Sequence, residues 1–185
     1  MAERILALDL STSGLGMVCL DTTWDLDWRR VRFRTLACSL RKATPRERVE
    51  RLRMLALDVR TWCIYTGATV VYAEAIPTFG FEIVTLAQLR TAVDMELYRE
   101  NGFVVESVQQ NTARKLLLGR VPQKNRKQHV SEALKAQGDP FEDDDQRDAF
   151  AIANHALHVL GAPCLAGLLG EPEAKPKRIK KARAA

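Results

Sequence analysis

The sequence predicts an α/β fold, a mixed five-stranded sheet flanked by helices. Three observations carry this. Two short apolar runs, Ile5 to Leu8 and Thr69 to Ala73, read as strands covered on both faces. A long helix lies between them, the connection expected when two parallel neighbours in one sheet are joined by a right-handed crossover. Strand-like and helix-like segments then alternate as far as residue 160.

The first strand is expected over residues 4–10. A tight region from Gly14 to Gly16 leads to a second strand ending near Leu20, and residues 21–30 form a polar, Trp-containing hairpin connection to a third strand over Val31 to Ser39. The first helix has a clear start, with Thr44 as N-cap, Pro45 in the first helical position and Glu47 closing a capping box. Its apolar stripe is Val49, Leu52, Leu55, Val59 and Trp62, and Gly67 ends it. The fourth strand runs to Glu74. After a loop, a helix is expected from about Glu82 to Glu100 and a strand over Phe103 to Ser107. That helix is apolar over more than one stripe, so one face covers the sheet; the surplus marks either a partner surface, most simply a two-fold homodimer, or deeper burial. Asn111 to Leu118 reads as a short capped helix stopped by Gly119. A further helix opens around residues 120–129 and ends near Gly138. The last helix spans about Asp143 to Leu160, with Ala149, Ile152, Ala153, Ala156, Leu157 and Leu160 recurring at spacings of three and four.

Acids interrupt these elements at telling places. Asp9 breaks the first apolar run and Glu74 breaks the second in the same way, so both emerge at the carboxyl edge of a parallel pair, where open sheets place their ligands. Extending the stripe of the last helix one turn towards its start lands on Asp145, with Asp148 on the same face; Asp144 with Asp148 is a second possible pair, and spacing alone does not choose. Glu is depleted in strands and rarely buried without a partner, which sets Glu74 apart. Four carboxylates from three distant segments are the oxygen-ligand set of a Mg²⁺- or Mn²⁺-dependent phosphodiesterase. Taken singly each has a plainer role: Asp9 as a turn opener, the Asp143 to Asp145 cluster as a solvated helix start.

Composition bounds the rest. At 185 residues and 46% hydrophobic content the chain holds one substantial core. We expect a single domain over residues 1–163 and a basic, disordered tail over 164–185. From Glu171 onward six basic residues face two acidic ones, so the tail carries +4 of the net +5; its use is loose attraction to a polyanion or simple solubility. No stretch approaches a membrane span and no signal peptide is evident, so a cytoplasmic setting is expected. Cys19, Cys38, Cys63 and Cys164 lack metal-ligand spacing and read as small core hydrophobes. Within the body, Arg114, Lys115, Arg120, Lys124, Arg126 and Lys127 fall in fourteen residues that hold no acid, a donor cluster suited to nucleic-acid phosphates. Phe79 and Phe81, beside Glu74 in sequence, are either core anchors or a stacking surface for an unpaired base.

The order of three strands, helix, strand, helix, strand and closing helices is that of the ribonuclease H-like fold. Within it the chain resembles the RuvC-type Holliday junction resolvases over most of residues 4–161. The resemblance is carried by Leu8-Asp9 followed by Gly14-x-Gly16, by Tyr72-Ala73-Glu74, and by Asp145-x-x-Asp148-Ala149-x-Ala151-Ile152-Ala153. It departs where the family has a Pro-Gly pair after the first acid and this chain has Leu10, Ser11 and Thr12. The late motif selects Asp145 over Asp144. The resemblance implies a homodimeric, Mg²⁺-dependent endonuclease that resolves four-way DNA junctions by paired nicks. Asp9 would bridge two Mg²⁺ (or Mn²⁺) ions, Glu74 and Asp148 would complete their shells, and Asp145 would bind one ion or orient water. Arg114 and Lys124 match the family's two basic residues, Lys124 neutralising charge on the scissile phosphate. The competing expectations are a related nuclease acting on other branched DNA or on RNA, and a non-catalytic nucleic-acid-binding module on the same fold.

Overall fold

The computed structural model describes residues 2–40, 43–78, 82–119 and 124–170. Its elements in chain order are β1 (Arg4–Leu10), β2 (Gly14–Asp21), a 3₁₀ turn (Trp28–Arg30), β3 (Arg32–Ala37), α1 (Pro45–Thr66), β4 (Val70–Glu74), α2 (Ile83–Asn101), β5 (Val105–Val108), α3 (Gln110–Leu118), α4 (Arg126–Ala136) and α5 (Asp144–Val159). The expected mixed five-stranded sheet is present. Its order is β3-β2-β1-β4-β5; β1 pairs antiparallel with β2 and parallel with β4, β2 pairs antiparallel with β3, and β5 pairs parallel with β4.

Each strand divides its residues between two cores because successive side chains point to opposite faces. Leu6, Leu8, Met17, Cys19, Val71 and Ala73 meet the stripes of α1 and α2. Ile5, Ala7, Val18, Leu20 and Tyr72 meet α3, α4 and α5. That alternation decides where the chemistry sits: Asp9 follows Ile5 and Ala7, and Glu74 follows Tyr72, so both acids belong to the α5 face. Register brings them level, since Leu8 pairs with Ala73 one step before them.

The helix signals act as expected. Thr44 caps α1 in a full capping box with Glu47, and Gly67 closes the helix in the left-handed conformation at φ 67°. The hairpin connection over residues 21–30 is anchored in the core: Trp24 is fully buried and stacks edge-on against Trp28 and Phe150. The folded body also continues beyond residue 163. Gly167, Leu168 and Leu169 donate backbone hydrogen bonds to Leu116, Leu117 and Leu118, while the buried Asn154 amide clasps both the N–H and the C=O of Leu165. Leu165, Leu168 and Leu169 supply the apolar surface for this; the basic tail from Glu171 onward lies outside the described residues. No helix among the described residues is long and apolar enough to cross a membrane.

Candidate active site

α5 crosses the sheet with its first turn against β2. The crossing depends on glycine: a Cβ on Gly16 would lie 2.1 Å from the Asp145 carbonyl oxygen, and one on Gly14 would lie 2.5 Å from the Asp145 carboxylate. Gly16 is also the register partner of Asp9, so the close approach sets Asp145 beside the first acid. A polar clasp fixes the helix start. Asp143 caps α5 by accepting from the Gln146 N–H at 2.8 Å, the Thr35 hydroxyl of β3 donates to Asp143 at 2.6 Å, and the buried Gln146 amide donates to Thr35 at 3.0 Å. Behind it, buried Arg147 pairs with buried Asp139 at 2.8 Å. The signal for this clasp was present in the sequence as Asp143-x-x-Gln146, a capping-box spacing.

Four acids from three elements converge at this point. Asp9, only 4% exposed, lies near enough to Glu74 and Asp148 for the three carboxyls to interact electrostatically. Burial, followed by the negative charges of Asp148 and Glu74, holds the Asp9 carboxyl well above the ordinary carboxylate range. Burial is also the largest cause that raises the Glu74 carboxyl above its ordinary value. Asp148 is 1% exposed and receives a two-pronged bond from Arg114, Nε to Oδ1 at 3.1 Å and Nη2 to Oδ2 at 2.7 Å. The Lys127 ammonium lies between Asp145 and Asp148, 3.3 Å from an oxygen of each. Burial alone would lower the Lys127 pKa, but Asp148, Asp9 and Asp145 overcome it and hold the ammonium above its ordinary value. Asp144, the alternative by spacing, is half-exposed and pairs with Arg147 at 3.6 Å, away from the cluster. Arg90 secures the strand end from behind, donating to the Glu74 carbonyl at 3.2 Å and the Val105 carbonyl at 2.8 Å.

The basic residues sort differently from the sequence reading. Arg114 is not a surface phosphate donor: it is buried and committed to Asp148, because it lies in the inward stripe of α3 with Ala113, Leu117 and Leu118. Lys124 is exposed just before α4, and Lys127, one turn on, is the lysine that contacts the acids. Lys115 and Arg126 are exposed, Arg126 reaching Asn111 at 3.0 Å. Beside Lys127, an open cleft of about 860 Å³ runs along α4, lined by Arg126, Gln128, Ser131, Lys135 and Asp144. Phe79, Phe81 and Arg120 lie outside the described residues.

Among the described residues, no group of three or more Asp, Glu, His or Cys side chains is spaced to hold a metal ion. Two of the four acids are engaged by cations, Asp148 by Arg114 and Lys127, and Asp145 by Lys127. The donor chemistry nevertheless fits a hard divalent cation, since the four side chains offer carboxylate oxygens alone and crowding raises the Asp9 carboxyl well above its ordinary range.

No protein-family model matches the chain and no curated protein does. Solved structures do. Thermus thermophilus RuvC superposes with a TM-score of 0.60 at 18% identity, over 86% of this chain and 97% of that one. T. thermophilus RuvC in complex with its Holliday junction substrate gives 0.62 at 15% identity, over 86% and 96%. Fowlpox virus resolvase in complex with substrate Holliday junction DNA gives 0.52 at 10% identity, over 85% and 98%. At these identities the likeness establishes the fold: the chain has the ribonuclease H-like fold of the RuvC-like resolvases.

Proposed function

We propose that this chain is a structure-selective endonuclease that resolves four-way DNA junctions by paired nicks, with Mg²⁺ or Mn²⁺ as cofactor. The observation that carries the reading is the convergence of Asp9, Glu74, Asp145 and Asp148 on one face of the sheet, at the carboxyl ends of β1 and β4. Asp9, Glu74 and Asp148 would hold the ions, and Asp145 would hold one or orient water. Bound there, divalent ions would supply Lewis acidity, activating water and neutralising charge on the phosphate. The protein's own groups do the rest. Asp9, whose carboxyl burial raises, would act as a ligand in its ionised form. Arg114 orients Asp148 through its two-pronged bond to both carboxylate oxygens. Lys127 stands where it can meet negative charge on a scissile phosphate. Lys115, Lys124, Arg126 and Lys135 are exposed cations on the approach to it, Arg126 and Lys135 in the wall of the α4 cleft.

Four-way junction, plain duplex, flap DNA and an RNA–DNA hybrid, each end-labelled and incubated with and without Mg²⁺, test this directly. Metal-dependent cutting of the junction above the other three is the expected result. Preferential cutting of the hybrid, or binding with no cutting of anything, overturns it in favour of an RNA nuclease or a binding module.

Paired nicks call for two copies, and the surplus apolar face of α2 offers the place. Val84, Met95 and Tyr98 on α2, with Val49 on α1, are each about two-thirds exposed and line two adjoining apolar grooves of about 590 and 710 Å³. Met95→Glu puts a charge at the centre of that face and is expected to weaken self-association at least tenfold, about 1.4 kcal/mol. Light scattering across a dilution series reads this. A variant that stays dimeric removes this face from the interface.

A further inference from the structure

Two cations, Arg114 and Lys127, occupy the acids that the nuclease reading assigns to the metal, and the role of the second can be taken further on the strength of that reading. We infer that Lys127 is a built-in competitor of the divalent metal: its ammonium occupies the carboxylate oxygens that the ion needs, and the site opens to the ion when Lys127 is drawn aside.

The two cations of the site differ in the way this requires. Arg114 is fixed. Its side chain is 11% exposed, its planar fork meets both oxygens of Asp148, and it grows from the buried stripe of α3. Lys127 is movable. Its side chain is 50% exposed, it stands at the second position of α4 on the rim of the cleft, and its contacts of 3.3 Å to Asp145 and to Asp148 are longer than those of Arg114 to Asp148, 2.7 Å at the shortest. A lysine on a flexible stem is a point charge that can be relocated without disturbing the backbone, whereas a bidentate guanidinium cannot. While Lys127 bridges Asp145 and Asp148, it engages an oxygen of each of the two acids that would complete a ligand set with Asp9 and Glu74. A phosphate lying in the adjoining cleft is a competing anion for the same ammonium. Whatever affinity the phosphate gains from Lys127 is returned as carboxylate oxygens released to the ion, so substrate and metal favour one another's binding.

The experiment is a titration of the full chain with Mn²⁺ alone, in the absence of DNA, following free Mn²⁺ by electron paramagnetic resonance. Lys127→Gln is expected to bind Mn²⁺ about tenfold more tightly than the wild type, the scale of removing one half-screened charge beside two ligands. Lys127→Arg, which keeps the cation, should bind Mn²⁺ no more tightly than the wild type. This holds also for Lys135→Gln, which makes the same charge change farther along α4. Equal or weaker binding by Lys127→Gln overturns the inference, as does equal tightening in Lys135→Gln, which would reduce the effect to net charge. Absence of Mn²⁺ binding in every variant also overturns it. Failure here is separable from failure of the proposed function: cleavage that survives Asp9→Asn strikes the nuclease reading, while a wild type that cleaves and a Lys127→Gln with unimproved Mn²⁺ affinity strike only the competitor.

Discussion

Asp9→Asn is expected to reduce junction cleavage by about a thousandfold or more, the order lost when one member of a catalytic unit is removed, while junction binding changes little. The same substitution should make the metal-free protein more stable at neutral pH. Asp9 is buried against two other acids, and its pKa in the fold lies well above the unfolded value of 3.8. The native state therefore binds the proton more tightly than the unfolded state. Stability from this group is fully present below the unfolded pKa and is lost as the pH rises through the folded pKa. Glu74, also raised, adds a contribution of the same sign. In the presence of a chelator the wild type should thus melt at lower temperature at pH 8 than at pH 5, and Asp9→Asn should flatten that slope. A variant that still cleaves refutes the assignment of Asp9; an unchanged slope refutes the burial argument alone.

Gly16→Ala is the second large effect. The added methyl group meets backbone and nothing that can swing away: the Asp145 carbonyl oxygen at 2.1 Å, its carbon at 2.4 Å and the Gln146 nitrogen at 3.0 Å. α5 must lift, yet Thr35, Asp143 and Gln146 hold its start and Arg147 holds Asp139 behind it. Overpacking of this kind costs about 1–3 kcal/mol, or a drop of roughly 2–12 °C in Tm for a domain of this size. A displacement of Asp145 by an ångström would cost about a hundredfold in cleavage. At Gly14 the nearest atom is the end of the Asp145 carboxylate, a side chain that can rotate. Gly14→Ala should accordingly impair cleavage with a much smaller change in Tm. Melting curves and junction cleavage on the two variants check the contrast, and a Gly16→Ala protein as stable and active as the wild type removes the close approach from the explanation.

The acids were readable because a charge in the middle of an apolar strand is conspicuous, as at Asp9 and Glu74, and because the stripe of α5 extends through Asp145 and Asp148. The start of α1 was readable for a local reason, since Thr44, Pro45 and Glu47 satisfy one another within a single turn. What the basic residues do was not readable from their clustering, which sets charge density but not direction. One clue was available. Gln110, Ala113, Arg114, Leu117 and Leu118 recur at spacings of three and four, so Arg114 sat in a buried stripe and needed an internal partner. No such clue separates Lys124 from Lys127: the first precedes α4 and the second lies in its first turn, and which of them turns inward depends on how α4 docks against α5. That residues 165–169 pack on the body was not readable for a related reason. Leu165, Leu168 and Leu169 form no helix or strand pattern, and only their contacts with α3 and α5 reveal that they are held.

The alternation that delivers Asp9 and Glu74 to the same side of the sheet has an evolutionary corollary. Inserting or deleting a single residue within β4 would carry Glu74 to the α1–α2 side and end the chemistry, whereas loops between the elements can lengthen, shorten or drift freely. What a lineage must transmit is an odd-even parity at a few rungs, and almost any apolar residues can spell it. Chains at 10–18% identity can therefore keep one architecture while little else in their text agrees.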